Sequence, residues 1–171
     1  EATYHPDDIA ILTGLEHEQA SVRLAAVRAI ASKSIPESLE VFQKLANDPA
    51  EEVRLAAAIG RANLGDRDSL PLLVAILKSD SPAIRQEASL VLSEFTKQDF
   101  GSIGFGDQPE PRKETLTQWE RWLETDGKTA KLHFPIKRRG AYPSYLGGNT
   151  LLAFGYANKV EERDPTNKVI W

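Results

Sequence analysis

The sequence contains no cysteine and no methionine. Without thiols the chain can form neither disulfides nor thiolate metal sites, and cysteine nucleophiles are excluded. The lack of cysteine leaves the compartment open. The lack of methionine leads us to expect that the chain starts after a processing event, for which removal of a secretory signal is one explanation.

Long apolar runs and a strong net charge are also missing. No apolar run approaches the roughly 20 residues that span a bilayer, so we expect no membrane insertion. The net charge is −4, and we expect no nucleic-acid partner because such domains usually carry a basic surface. Acidic residues outnumber basic ones in residues 1–100 and the reverse holds in 101–171, which favours a boundary near residue 100.

A threefold internal repeat occupies the acidic part of the chain. Val-Arg-Leu-Ala-Ala at 22–26 recurs at 53–57, and a looser copy, Ile-Arg-Gln-Glu-Ala, follows at 84–88. The intervening segments match in the same register. The repeat indicates three units, at about 7–33, 35–64 and 68–97, and such units bury their apolar faces by stacking on one another.

Each unit contains two apolar segments with helical spacing. In the second segment of the middle unit, the apolar and small residues fall on one face of a 3.6-residue period: Val53, Ala56, Ala57, Gly60 and Leu64. The small residues of the three copies are expected to let neighbouring helices approach closely; they are Ala25, Ala26, Ala56, Ala57 and Ala88. We therefore predict three antiparallel helix pairs.

Helix start and stop signals frame these segments. Asp48-Pro49 and Ser81-Pro82 each offer an N-cap followed by proline at the first helical position. Ser34 and Glu37 have capping-box spacing. Gly65 provides a C-terminal stop, because glycine readily adopts the left-handed conformation that follows a helix.

These motifs resemble the HEAT family, in particular the HEAT-like repeats of phycobilisome-lyase type. The matching residues are Leu64-Gly65-Asp66, Leu72-Leu73, Asp48-Pro49 and 53–57, and the resemblance covers about residues 7–97. It implies an α-solenoid, which serves many kinds of partner. It also implies an enzymatic alternative, since repeats of this type occur in bilin lyases that attach chromophores to proteins; no residue of this chain specifically supports that chemistry.

The segment after the repeats is predicted to be a loop followed by a tryptophan-containing helix. Residues 99–112 are rich in glycine and proline and favour a loop. In the next segment, 113–124, Trp119 shares a helical face with two leucines and Trp122 lies beside it. We expect this helix to cap the open end of the solenoid. The two indoles are expected to be core residues, with a binding platform as the alternative.

The last part, 129–171, changes to the alternation of a β structure. Leu132, Phe134 and Ile136 alternate with polar residues, which predicts a half-buried strand. Further on, 159–163 and 168–171 flank a turn at 164–167, which predicts a hairpin.

This tail resembles one blade of a bacterial PQQ-like or NHL-type β-propeller. Gly148-Asn149-Thr150-Leu151-Leu152-Ala153, Lys159-Val160-Glu161, Asp164-Pro165 and Lys168-Val169-Ile170-Trp171 carry the resemblance, with Asn167 where glycine is usual. One blade does not make a propeller, so the resemblance implies no cofactor here. It gives a second alternative, the N-terminal part of a secreted propeller protein. HEAT repeats with such a tail resemble secreted bacterial proteins, so we expect a periplasmic or secreted location, otherwise a cytoplasmic one.

One arginine recurs in each unit: Arg23, Arg54 and Arg85. We expect them to bind backbone carbonyls or acidic turn residues at the unit junctions, rather than to form an anion-binding ridge, because the position repeats with the fold. None of the three histidines has ligand spacing, so we predict no catalytic residue, metal or cofactor.

Together these patterns predict a mainly α protein with three parts: a HEAT-like solenoid at 1–98, a loop and capping helix at 99–128, and a β segment at 129–171. We expect a non-catalytic scaffold that binds another protein, as a subunit or module of a multi-subunit complex. Charged residues between the core positions of the second helices, with the two tryptophans, are the candidate partner-binding residues: Arg28, Glu52, Arg61, Glu87, Glu94, Trp119 and Trp122.

Overall fold

A computed structural model of the chain describes residues 11, 13–33, 38–101, 103–104, 108–136, 150–154 and 159–163. This part is mainly helical. Six α-helices have both ends within it: α1 (Ala20–Lys33), α2 (Leu39–Leu45), α3 (Glu51–Asn63), α4 (Ser69–Ile76), α5 (Pro82–Thr96) and α6 (Pro109–Glu124).

The helices pair and stack in the order that the repeat predicts. Helix α2 packs on α3 and α4 packs on α5, and these are the two helices of the middle and the last unit. The second helices also contact one another, α1 with α3 and α3 with α5, while α3 contacts α4 across the unit junction. This arrangement is that of an α-solenoid, in which each unit covers the apolar face of the next.

Two clusters of buried side chains form the core of these units. One joins the first two units and includes Val27, Phe42 and Val53. The other joins the last two units and extends to Trp119 and Trp122 of α6, which also contacts α4. The tryptophan helix therefore lies against the last unit and closes its core.

Two of the predicted helix ends are confirmed. At the end of α3, Gly65 has a φ of 77°, its N–H donates to Ala62, and the N–H of Asp66 donates to Arg61. This is a Schellman motif, which satisfies carbonyls of the last turn. At the start of α5, the side chain of Ser81 accepts a hydrogen bond from the Ile84 N–H, and Pro82 is the first helical residue.

The predicted start of α3 is wrong by two residues. The helix begins at Glu51 with Ala50 as the N-cap, so Pro49 precedes the helix. The reason is local, because Asp48 Oδ1 accepts a hydrogen bond from the Ala50 N–H and the segment turns before the helix starts. The capping box predicted at Ser34 and Glu37 lies outside the described residues.

The small residues of the repeated segments are buried with one exception. Ala26, Ala56, Ala57 and Ala88 are in the core, whereas Ala25 is exposed. Ala25 was expected to pack between helices, but it shares a face of α1 with the exposed residues Ser21 and Arg28, at spacings of i, i+4 and i+7.

Gly60 allows α2 to pack closely on α3. A Cβ built at Gly60 would lie 2.6 Å from Cζ of Phe42, whose side chain is buried. A glycine inside a helix normally weakens it. Here it makes room for the phenyl ring.

Substitution of Ala57 tests this close packing. The side chain of Ala57 is fully buried, so Ala57→Leu is expected to overpack the junction and lower the free energy of unfolding by roughly 1–3 kcal/mol. Chemical denaturation of the purified chain measures the change. Ala25→Leu, the same substitution on the exposed face of α1, is the control and should unfold like the parent. Equal unfolding curves for both variants would show that the junction is loosely packed.

Residues 131–136 do not form the predicted strand. They lack regular secondary structure and lie against the helices, with Leu132 and Ile136 packed on the core of the last two units. The alternation that predicted a strand reflects this docking, since Leu132 and Ile136 pack on the core and Phe134, although 53% exposed, lies against Gly65. The structure places this segment in the same compact unit as the helices, Glu1–Ile136, although the sequence grouped it with the β part.

The second compact unit is Lys137–Trp171. Its described residues form two antiparallel strands, β1 (Thr150–Phe154) and β2 (Lys159–Arg163), in which Leu152 pairs with Glu161. The hairpin predicted around 164–167, with its second strand at 168–171, lies outside the described residues, as does most of the blade-like motif. The resemblance to a propeller blade stays a prediction.

Candidate partner-binding face

The three repeated arginines make the same pair of backbone contacts. In each unit, Nη1 donates to the carbonyls five and six residues earlier in the chain, at 2.7–3.1 Å. The carbonyls belong to His17 and Glu18 for Arg23, to Asp48 and Pro49 for Arg54, and to Ser79 and Asp80 for Arg85. Each guanidinium thus fixes the loop that precedes its own helix.

Arg23 also links the first unit to the second. Its Nε and Nη2 donate to the two oxygens of Asp48 at 2.7 and 2.8 Å, in the fork geometry that guanidinium and carboxylate share. The Asp48 side chain is 4% exposed. The hydrogen bond from Arg23 lowers the pKa of Asp48, and partial burial raises it. The hydrogen bond from the Ala50 N–H and the nearby charges of Arg23 and Arg54 also lower this pKa.

At the second junction a hydrogen bond between a hydroxyl and a carboxylate takes the place of this ion pair. Ser79 occupies the position equivalent to Asp48, and its hydroxyl donates to Glu51 Oε2 at 2.7 Å. Glu51 Oε1 lies 3.8 Å from Nη2 of Arg54. Since all three guanidinium groups bind the loops and Arg85 is only 3% exposed, the ladder stabilises the fold, in agreement with the structural interpretation of the sequence.

Four of the seven candidate binding residues lie where a partner can reach them. Arg28 and Glu52 are exposed, whereas Glu87 and Glu94 are half-buried. Glu94 also forms an exposed ion pair of 3.3 Å with Lys97. These residues lie on the second helices, which stack on one another, so they belong to one face of the repeat array, here called the second-helix face.

The sequence did not single out Leu90, which is 42% exposed on the second-helix face. It follows Glu87 by three residues and precedes Glu94 by four, so the three share one side of α5. The missed signal was its repeat position, since it is equivalent to Arg28 of the first unit.

Arg61 is a correction to the candidate set. It is 9% exposed, and its Nε donates to Asp66 Oδ2 at 2.7 Å. The pair spans the end of α3, where the chain turns back at Gly65 and brings Asp66 beside the last helical turn. Arg61 therefore stabilises the helix end and is not available to a partner.

The two tryptophans are also corrected as binding candidates. Trp119 is fully buried and Trp122 is 5% exposed. Trp119 makes edge-to-face contacts with Phe100 and Trp122, with ring centroids 4.8 and 5.8 Å apart, an arrangement that aromatic pairs prefer. The core interpretation of these two indoles is confirmed, and neither ring is open to a ligand.

The described residues hold no group of three or more histidine or acidic side chains placed to bind a metal ion. His17 is exposed and its Nδ1 accepts a hydrogen bond from the Gln19 N–H, whereas His133 is half-buried. His5 lies outside the described residues. No helix in the described part of the chain is both long and apolar enough to cross a membrane.

Helix pairs that recur every 31 residues and stack through their second helices define a helical repeat protein of the α-solenoid class. Residues 9–93 match the family described as HEAT repeats. The match spans nearly all of the three units and ends before the tryptophan helix. HEAT repeats generally mediate protein–protein interaction. Among curated proteins, none matches this sequence.

Proposed function

We propose that this protein is a non-catalytic scaffold that binds another protein through the second-helix face, as a subunit or module of a larger assembly. The observation that carries the proposal is the exposure of charges of both signs on stacked helices, Arg28 and Glu52, with Leu90 also exposed. A stack of repeats offers a partner a continuous surface larger than any single unit provides.

The charge pattern favours a protein over a nucleic acid. Nucleic acids are bound by uniformly basic surfaces that neutralise phosphates. On the second-helix face the carboxylates of Glu52, Glu87 and Glu94 outnumber the guanidinium of Arg28, and they would repel phosphate. An apolar side chain between charges is better suited to a protein surface, where a desolvated centre is surrounded by a polar rim.

Charge reversal on this face provides the test. The wild-type chain, used as bait in extracts of the source organism, is expected to recover a protein partner more slowly as salt rises, because exposed charges are screened within about 10 Å at 0.1 M salt. With the recovered partner purified, Arg28→Glu and Glu52→Arg are expected to change the association rate and its salt dependence.

The controls reverse the same charges on the exposed surface of α6. Lys113→Glu matches Arg28→Glu, Glu110→Arg matches Glu52→Arg, and both controls should associate at the parental rate. If all four variants bind alike, the second-helix face is not the binding surface. Recovery of nucleic acid instead of protein would contradict the proposal and would direct attention to the basic segment Lys137-Arg138-Arg139.

The two finer resemblances remain sequence-based alternatives. A bilin lyase would attach a chromophore covalently, so incubation with bilin and its acceptor protein should then change the absorbance of the acceptor. A secreted propeller protein would continue the blade pattern beyond Trp171, which the genomic reading frame tests. The periplasmic or secreted location also stays a proposal, and fractionation of the source cells would decide it.

A further inference from the structure

Residues 129–136, here called the strap, cross the C-terminal ends of two second helices. After α6 the chain makes a short 3₁₀ turn at Asp126–Lys128 and then runs without regular secondary structure. The His133 N–H donates to the carbonyl of Phe95, the next-to-last residue of α5, at 2.8 Å. The Ile136 N–H donates to Oδ1 of Asn63, the last residue of α3, at 3.1 Å.

Arg67 binds the start of the same path. Its Nη1 donates to the Gly127 carbonyl at 2.6 Å and its Nη2 donates to the Ala130 carbonyl at 2.7 Å. Arg67, Asn63 and the Phe95 carbonyl, here called the track, therefore all bind main-chain atoms. Main-chain atoms are the same in every polypeptide, so these hydrogen bonds do not depend on the side chains of the strap.

Side chains of the strap contribute alternating apolar contacts. Leu132 and Ile136 face the core and are partly buried. Between them, the ring of Phe134 lies against Gly65, where a Cβ would come within 2.5 Å of its Cζ. Gly65 is in the left-handed conformation, which already disfavours other residues. The same glycine that ends α3 thus makes the shallow surface on which the aromatic ring rests.

The strap is held less firmly than the helices it crosses. Its apolar side chains are half-buried or exposed, whereas Leu92, Phe95 and Trp119 of the core cluster on which it packs are fully buried. Segments with little buried apolar surface open before the core unfolds. Opening of the strap would leave the donors of Arg67, the amide of Asn63 and the Phe95 carbonyl accessible to another chain.

We infer that the strap is an internal ligand and that the track binds a partner's polypeptide segment in its place. The segment it fits lacks regular secondary structure and carries apolar side chains at alternate positions, as Leu132, Phe134 and Ile136 do. This inference rests on the proposed scaffold function and specifies the class of partner segment. The occupied state of the track shows that such a segment can lie there with the main-chain groups of residues 127, 130, 133 and 136 hydrogen-bonded.

A peptide of the chain's own residues 127–136 is the probe. The double variant Leu132→Ser/Ile136→Ser of the full chain weakens the strap and leaves the track unchanged. A fluorescent peptide is expected to bind this variant at least about tenfold more tightly than the wild type, because the wild-type strap occupies the site for most of the time. Adding Asn63→Ala and Arg67→Ala to the double variant should abolish the gain. A peptide of shuffled order is the control.

Equal peptide affinity for the wild-type chain and the double variant, or binding that survives removal of Asn63 and Arg67, would overturn the inference. Hydrogen exchange on the wild-type chain tests it without any variant: the amides of His133 and Ile136 should exchange through local opening, well before those of α5. Exchange only on global unfolding would also overturn it. Because the peptide assay needs no partner, its failure would not contradict the scaffold function. Failure of the pull-down would likewise not contradict the inference that the track binds a polypeptide segment.

Discussion

Replacing Asp48 by alanine is expected to lower the free energy of unfolding by roughly 3 kcal/mol at neutral pH. Removal of one partner of a buried ion pair costs about 3–5 kcal/mol. We take the lower end because Arg23 is only partly buried and keeps its two carbonyl acceptors. The variant also loses the Asp48 hydrogen bond to the Ala50 N–H, which shapes the turn before α3. Chemical denaturation at pH 7 measures the difference.

The matched control is Asp80→Ala. Asp80 occupies the loop of the last unit, is exposed, and binds Arg85 only through its carbonyl oxygen. Since its main chain is retained in the variant, a change within about 0.5 kcal/mol is expected. If Asp80→Ala and Asp48→Ala had the same effect, the ion pair between the first two units would not be the source of the stabilisation.

The ion pair between Arg23 and Asp48 also predicts that the stability of the fold depends on pH in the acid range. The pKa of Asp48 is lowered in the folded chain, first by the hydrogen bond from Arg23. A carboxyl whose pKa is lowered by folding binds fewer protons in the folded state than in the unfolded state. Its contribution to the free energy of unfolding is therefore complete above the unfolded pKa of about 3.9, and it is lost as the pH falls through the folded pKa. Asp48→Asn should therefore remove part of the stability loss below about pH 4 that the parent shows.

Glu16 also has a lowered pKa and contributes to the pH dependence in the same direction, but it lies on the surface. Its hydrogen bond to Lys44 lowers the pKa of the carboxyl, yet both side chains are mostly exposed, at 76% and 74%. Exposed pairs contribute little and are screened by salt. Addition of salt should consequently weaken the Glu16 contribution and leave the Asp48 contribution largely in place, because the Asp48 side chain is only 4% exposed.

Trp119→Ala is expected to cost about 3–5 kcal/mol, the range for truncation of a large buried aromatic residue. The indole is fully buried and contacts Phe100 and Trp122, so the variant would leave a cavity between α6 and the last unit. The melting temperature of the variant should fall accordingly. Tryptophan fluorescence should also shift to longer wavelength as water reaches Trp122.

Leu90→Ala is the control for truncation of a large apolar side chain. Leu90 is 42% exposed on α5, so its truncation should leave the melting temperature nearly unchanged. The two variants also distinguish a core residue from a binding residue. Leu90→Ala should weaken capture of a partner, and Trp119→Ala should destabilise the chain. A Trp119→Ala variant that melted like the parent but bound its partner less well would restore the platform interpretation.

The sequence by itself determined the local structure of the repeats. The helices follow from a 3.6-residue spacing and from end signals at Gly65 and Ser81, which depend on contacts between residues a few positions apart. The 31-residue register shows that these local patterns recur from unit to unit. The role of the arginine ladder was predictable for a related reason, because each Nη1 binds carbonyls only five and six residues away. These interactions repeat whenever the local sequence repeats.

Only the tertiary structure decided which side chains remain accessible. Arg61 and Glu52 look alike as charged helix residues, yet Arg61 is buried against Asp66 because the chain reverses at Gly65. The strap shows the same limit. Its alternation predicted a strand, but no strand among the described residues pairs with it, and its main-chain groups bind Arg67, Phe95 and Asn63 instead. Its partners lie some 40 to 70 residues away, and an alternating pattern states which side chains are apolar without stating what they pack against.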